Sequence, residues 1–297
     1  MTLTVRPLSH ALGAAVTGID LREPLDAETL ATVRRIWLDN LVVVFPDQNL
    51  TPEQQIAFGR NFGTLDDHKA IPFYRHPEYP EIYLITNKQI GGKLSETRDT
   101  GRKWHSDHSF TTHPTMATML YCREIPPVGG TTMFANMVMA YATLSERLRT
   151  ILDDLEAVHS IAHFMARSRS FAERDQKQVA RIADLSPPVA QPVVRTHPET
   201  GRKALFVSEG QTSHFVGMTV EESAGLLKFL FEHSVLPEFT YRHAWSPNDL
   251  LMWDNRSTIH LAVPDYSHSE TRHMHRLTVL GEACGRSYVA EAMCRSQ

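Results

Sequence analysis

Apolar runs of strand length recur along this 297-residue chain, and each is closed by a polar or Gly/Pro-bearing turn. They lie at 41–45 (LVVVF), 81–86 (EIYLIT), 115–122, 131–135, 239–245 and 249–254, with a looser alternation over 3–19. None approaches the roughly 18 to 20 apolar residues of a membrane-crossing helix. A short strand on its own leaves its edges and one face unsatisfied, so such strands must be gathered into sheets that pack on one another or on helices. The helices are legible too. Leu30, Val33, Ile36 and Trp37 recur at helical spacing within 26–40, and Thr51-Pro52-Glu53-Gln54 and Thr219-Val220-Glu221-Glu222 each open a helix with a capping box. A further helix is expected over 137–152. The expectation is an α+β fold with a double-stranded β-helix (jelly roll) core and flanking helices.

Composition bounds what such a fold can do. Apolar residues make up 42% and charged residues 22%, enough to bury one large core, so a single domain over 1–297 is expected. The basic, polar stretch 164–188, closed by Pro187-Pro188, interrupts the pattern and reads as an insertion or active-site lid. A formal net charge of -4 gives no overall reason to expect nucleic acid or a membrane surface as partner. Cys122, Cys284 and Cys294 are odd in number and lack metal-ribbon spacing, and the N-terminal residues lack a secretory pattern, so a cytoplasmic setting is expected.

Chemistry concentrates in two motifs. His105-Ser106-Asp107 would place an imidazole and a carboxylate on one face of a strand, where both can reach a metal at about 2 Å. His260 follows a strand far along the chain and offers the third ligand. Two histidines and one carboxylate leave open coordination positions, the arrangement associated with non-haem Fe(II) oxygenases. Arg272 and Arg276 lie four apart and run into apolar Leu277, Val279 and Leu280, which puts both guanidiniums on one face of a strand. A guanidinium fork suits a carboxylate held near the metal.

Taken together, GAAVTGIDL at 13–21, LTPEQQIAFGRNFG at 50–63, WHSDHSF at 104–110, PPVGGTTMFANM at 126–137, RTHPETGRKALFV at 195–207 and WDNRSTIH at 253–260 make the sequence similar to the taurine dioxygenase and 2,4-dichlorophenoxyacetate dioxygenase family over almost its whole length. The resemblance implies a dioxygenase with Fe(II) bound by His105, Asp107 and His260, and 2-oxoglutarate and O2 as cosubstrates. It implies that Thr132 and Arg272 bind the far carboxylate of 2-oxoglutarate. Arg276, His68 and Tyr74 match positions around the substrate anion, with His68 cationic beside it, and His108 stands where the taurine enzyme has a small apolar residue. Gly101-Arg102-Lys103 replaces an asparagine that meets the taurine amine. A small anionic organic substrate is therefore expected, a sulfonate such as taurine or a related alkylsulfonate, or else an aryloxyalkanoate or alkyl sulfate. Relatives are commonly dimers or tetramers, which makes a homo-oligomer the expected state. The readings of a different class are a zinc hydrolase on the same ligands and a non-catalytic, cupin-like metal-binding protein; neither needs two arginines and Thr132.

Overall fold

Seven strands form the larger sheet of the computed structural model, in the order Thr4–Pro7, Ala14–Thr17, Val42–Phe45, Leu250–Asp254, Ala117–Glu124, His273–Val279 and Tyr83–Thr86. All neighbours pair antiparallel except Ala14–Thr17 with Val42–Phe45. A three-stranded sheet, Thr240–His243, Thr132–Asn136 and Thr258–Ala262, faces it, and Glu156–His159 anchors a four-stranded sheet with Thr212–Phe215, Val189–Pro192 and Arg286–Ser287. The structure describes residues 3–69, 74–90, 92–95, 97, 100–166, 186–267 and 269–289. Most of the stretch expected as a lid falls on 167–185, outside the described residues.

Period-two alternation sorts the strands' side chains into layers. Leu250, Met252, Leu277 and Val279 pack beneath Val33, Ile36, Trp37, Phe58 and Phe62 of the helices Ala27–Asn40 and Pro52–Arg60 and the turn after them. Leu251, Trp253 and Met274 point the other way and meet Phe134 and Trp245 between the two sheets. The outer face of the small sheet, with Ala135 and Ile259, is covered by Met137, Leu152, Leu227 and Leu230 from the second group of helices. This layering of sheets and helices is the expected α+β class. Trp37 and Trp253 are 0% and 2% exposed. Burying side chains of this size stabilises the fold by at least ~1.5–3 kcal/mol each.

Local chemistry sets the helix ends. Asp26 accepts from Thr29 N, and Thr51 and Thr219 form the expected capping boxes with Gln54 and Glu222. Two expectations need correction. The alternation over 3–19 is not one strand, because Ser9 Oγ bonds both the N–H and the carbonyl of Leu12 and turns the chain, pairing Val5 with Val16. The helix over 137–152 is two helices, Met137–Ala142 and Glu146–Asp153: Thr143 bonds back to Met139 O, and Ser145 starts a new helix by accepting from Leu148 N. The polar segment 87–103 contains a small hairpin, Gln89–Ile90 with Lys93–Leu94. Among the described residues no helix is long and apolar enough to cross a membrane.

Two buried histidines make this packing sensitive to acid. Burial pushes His159 and His275 each down to about 3, and neighbouring His273 adds to the effect on His275. In the unfolded chain an imidazole titrates near pH 6.5, so below that pH the unfolded state takes a proton that the fold refuses. Stability is therefore full above pH 6.5 and is lost as the pH falls toward about 3. At pH 5 the loss is about 2 kcal/mol per histidine. We expect His275→Asn to flatten the fall in Tm between pH 7 and pH 5; parallel Tm curves for the two proteins would refute this.

Candidate metal centre

His105 and His260 are brought together by backbone, before any side chain is considered. His260 N donates to His105 O at 2.8 Å and His105 N donates to His260 O at 3.1 Å, an isolated antiparallel bridge. Residues that exchange both bonds sit directly opposite with their side chains on one face, and the two imidazole centroids are 4.2 Å apart. His260 lies inside the strand Thr258–Ala262, whereas the chain leaves His105 into a turn, so Asp107 reaches the same point from a turn and not by strand alternation as expected. Its carboxylate lies 3.7 Å (Oδ1) from His105 Nε2 and 3.8 Å (Oδ2) from His260 Nε2. One donor atom from each of the three buried residues falls within 4.8 Å of the others, a group able to hold a metal ion.

Protonation favours that use. His105 Nδ1 is 2.7 Å from Lys103 O, so it must donate, which leaves the Nε2 lone pair toward Asp107. His260 is wedged against Phe134 and Trp253, with centroids at 6.1 and 4.7 Å. Burial pushes both imidazoles toward the neutral, ligating form. Burial opposes the charge on Asp107, but the Arg276 guanidinium outweighs it and holds the carboxyl well below the usual range. Neutral imidazoles around an ionised carboxylate are the donor set a divalent first-row metal takes.

The two arginines do different things. Arg272 precedes the strand His273–Val279, and a bulge follows between His273 and Met274. It is 6% exposed; its Nε donates to Gly130 O at 3.1 Å, and it has no ion pair among the described residues. Burial pulls its pKa down. Gly130 has φ 65, and the Gly129 beside it has φ 86, where an added Cβ would stand 2.2 Å from Asp265 O, so this turn requires glycine. Thr132 Oγ1 accepts from Trp245 Nε1 at 3.0 Å, which leaves the threonine proton free to donate. The terminal nitrogens of Arg272 make no hydrogen bond among the described residues, and such a guanidinium fits a carboxylate ligand.

Arg276 turns toward the triad, with Nη2 3.2 Å from Asp107 Oδ1, and its Nε is buried without a hydrogen-bond partner among the described residues. His108 and His68 join it on that side. Both have positive φ, 55 and 52. His108 Nδ1 is 3.1 Å from Thr115 Oγ1, and burial and Arg276 lower its pKa. His68 Nε2 is buried with no hydrogen bond recorded among the described residues, and its ring lies 5.2 Å from that of Tyr83. Tyr74 meets Tyr83 at 5.8 Å. Burial first, and then Arg276, push His68 down to about 4, so it is neutral near pH 7, while the cationic form is the expectation for a bound anion.

Sequence reasoning missed the groups behind this site. Asp254 accepts from Arg256 Nε and Nη2 and from His197 Nε2, at 2.8 to 2.9 Å, while Arg256 Nη1 reaches Glu199. Asn255 and Thr118 bond to each other and to Asp107. Buried polar residues follow no hydrophobic period; the only sequence signal was the dense WDNR run before His260.

Comparison with known proteins matches these features to one family. The model of the family "Taurine catabolism dioxygenase TauD, TfdA family" matches residues 4–278. The chain is 37% identical over 295 residues to the alpha-ketoglutarate-dependent 2,4-dichlorophenoxyacetate dioxygenase of Cupriavidus pinatubonensis, covering 95% of this chain and 99% of that one. Its structure is similar to AAD-2 in complex with Mn(II) and N-oxalylglycine, with TM-score 0.80, 33% identity and coverage of 96% and 99%. It is also similar to a taurine dioxygenase from Burkholderia xenovorans, with TM-score 0.79, 32% identity and coverage of 98% and 96%.

The Asp254 cluster yields a stability prediction. Asp254→Ala would strand the Arg256 guanidinium, 4% exposed, without its main partner. Breaking a buried pair in this way costs about 3–5 kcal/mol. The urea midpoint should fall accordingly, and an unchanged midpoint would show that Glu199 alone suffices for Arg256.

Proposed function

Because the chain belongs to the taurine catabolism dioxygenase TauD, TfdA family, we propose that it hydroxylates a small anionic organic substrate at iron held by His105, Asp107 and His260. It is a 2-oxoglutarate-dependent dioxygenase, and its cofactor and cosubstrates are Fe(II), 2-oxoglutarate and O2. Together these supply the oxidising chemistry, with succinate and CO2 as co-products. The observation that carries the residue assignment is the company the triad keeps: two guanidiniums, one of them, Arg272, with no ion-pair partner among the described residues.

In this reading each side chain has a binding or orienting task. His105 offers Nε2 because Lys103 O occupies its other nitrogen, and Phe134 and Trp253 fix the plane of His260. Arg272 takes the far carboxylate of 2-oxoglutarate with its terminal nitrogens while Gly130 O holds its Nε, and Thr132 donates to the same carboxylate because Trp245 supplies its acceptor side. Arg276 meets the substrate anion, and His68 and His108 add neutral N–H donors rather than charge. The apolar walls between the sheets exclude water from the reacting C–H bond, so the protein contributes placement rather than acid–base catalysis. A zinc hydrolase or a non-catalytic metal-binding protein has no use for the Arg272 and Thr132 pocket.

A sulfonate such as taurine, or a related alkylsulfonate, suits Arg276 with two neutral donors. An aryloxyalkanoate is the second reading, favoured by the rings of Tyr83 and Tyr74 beside His68. An alkyl sulfate presents similar anionic oxygens. The two facing sheets with outer helices support a double-stranded β-helix in one domain over 1–297, and the free thiols of Cys122 and Cys284 support a cytoplasmic setting.

The test is a panel of sulfonates, aryloxyalkanoates and alkyl sulfates scored by substrate-stimulated succinate release. His105→Ala should abolish turnover. Arg276→Gln should remove stimulation by substrate while slow, uncoupled 2-oxoglutarate consumption survives with its KM within about threefold, whereas Arg272→Ala should raise that KM by roughly tenfold or more, as expected for loss of a charged hydrogen bond. Equal loss of both reactions in Arg276→Gln would reassign Arg276 to the cosubstrate.

A further inference from the structure

Behind Asp107 runs a chain of buried hydrogen bonds that can point in only one direction. Trp253 Nε1 and the backbone N of Asp107 each donate to Asn255 Oδ1 at 3.1 Å. Neither donor can accept, so the Asn255 amide has a single orientation, with its oxygen toward them. Its Nδ2 must donate the other way and does so to Thr118 Oγ1 at 2.9 Å. With its oxygen engaged as an acceptor, Thr118 directs its one hydroxyl proton onto Asp107 Oδ2 at 2.7 Å. Ser106 Oγ donates to Asn255 O at 2.7 Å, and Asn255 N donates to Met116 O at 3.0 Å, which fixes the backbone of the hub. Asn255 and Thr118 are 1% and 0% exposed, so solvent does not compete for these bonds.

We propose that Asn255 and Thr118 are positioning residues for the metal, a relay of fixed polarity that sets the rotation of the Asp107 carboxylate toward His105 and His260. The proposal rests on the metal assignment above. A carboxylate can turn about two bonds, and a short hydrogen bond to one of its oxygens selects one orientation. Here the two oxygens are told apart. Oδ2 takes the Thr118 proton, while Oδ1 lies 3.7 Å from His105 Nε2 and 3.2 Å from Arg276 Nη2. The relay also ties three separate segments at one point: the turn carrying Asp107, the strand Ala117–Glu124, and the crossover that leads to His260. A purely architectural cluster would lower the melting temperature when cut and leave the remaining folded protein's metal affinity alone. A positioning relay changes the affinity itself.

The test compares Thr118→Val, which keeps the shape and removes the donor, with Thr118→Ser, which restores the hydroxyl. Co(II) binding without 2-oxoglutarate is read by titration calorimetry and by the visible Co(II) absorption, and the melting temperature of the metal-free protein is recorded beside them. Loss of an outer partner of a ligand typically weakens metal binding ~10–100-fold, and we expect that loss in Thr118→Val, with an altered Co(II) band, and recovery to within about threefold in Thr118→Ser. Unchanged Co(II) affinity and spectrum in Thr118→Val, whatever its melting temperature, would overturn the proposal, as would equal weakening in both variants. If Thr118→Val does not fold, Thr118→Cys carries the comparison: its weaker donor should give an intermediate affinity, and parent affinity would overturn the relay. Co(II) binding that His105→Ala leaves untouched would instead remove the metal assignment on which the relay depends.

Discussion

The centre of this protein depends on one pair of backbone hydrogen bonds. By exchanging N–H and C=O with His260, His105 is held opposite it, and two imidazoles from distant parts of the chain share a face at 4.2 Å. A bridge of this kind has no register freedom, because a slip by one residue would turn either ring into the opposite layer, where Trp104 and Ile259 contribute to the outer core. The sheets therefore aim these side chains before any ligand arrives. Asp107 lacks such a strand and is held by a turn and by the amide of Asn255.

Placing so much charge between two sheets is costly, and the arrangement of partners shows how the cost is met. Asp107 stays ionised against its burial because the Arg276 guanidinium stands beside it. Asp254 stays ionised because Arg256 and His197 do the same a few residues along the crossover. That crossover, Asp254–Ser257, carries the chain from the large sheet to the small one, so a rigid ionic turn sits where the layers join. Arg272 differs: it is a buried cation with no ion pair among the described residues, its Nε donating to Gly130 O and its backbone N to Asn87 Oδ1. An uncompensated buried charge is unfavourable unless a ligand completes it.

Strand-length apolar runs and helix caps made the α+β class readable, and the capping boxes at Thr51 and Thr219 occur where their residue types require. His105, Asp107 and His260, which the structure brings together, were legible because their residue types are scarce in apolar surroundings. Local overrides were not. Ser9 and Ser145 bend the chain through side-chain bonds that periodicity does not register. The Asn255 and Thr118 relay was invisible for a deeper reason: which polar residues are buried together depends on how strands far apart in sequence pair, and no window along the chain contains that information.

The mechanical division of the site bears on its specificity. The two histidines of the triad, Thr132 and Arg276 sit on paired backbone, whereas His68 and His108 sit outside the strands in left-handed conformations that most side chains avoid at a cost of roughly 1 kcal/mol or more. Under the proposed assignment, two iron ligands, Thr132 and the substrate-binding Arg276 are held by paired backbone, Asp107 and Arg272 lie just outside it, and His68 and His108 meet the substrate from loops. Loop residues can change without shifting the register of any strand. A family built in this way can keep one oxidation chemistry while its members accept alkyl or aryl anions, because part of the substrate lining, His68 and His108, lies outside the strands that hold the layers together.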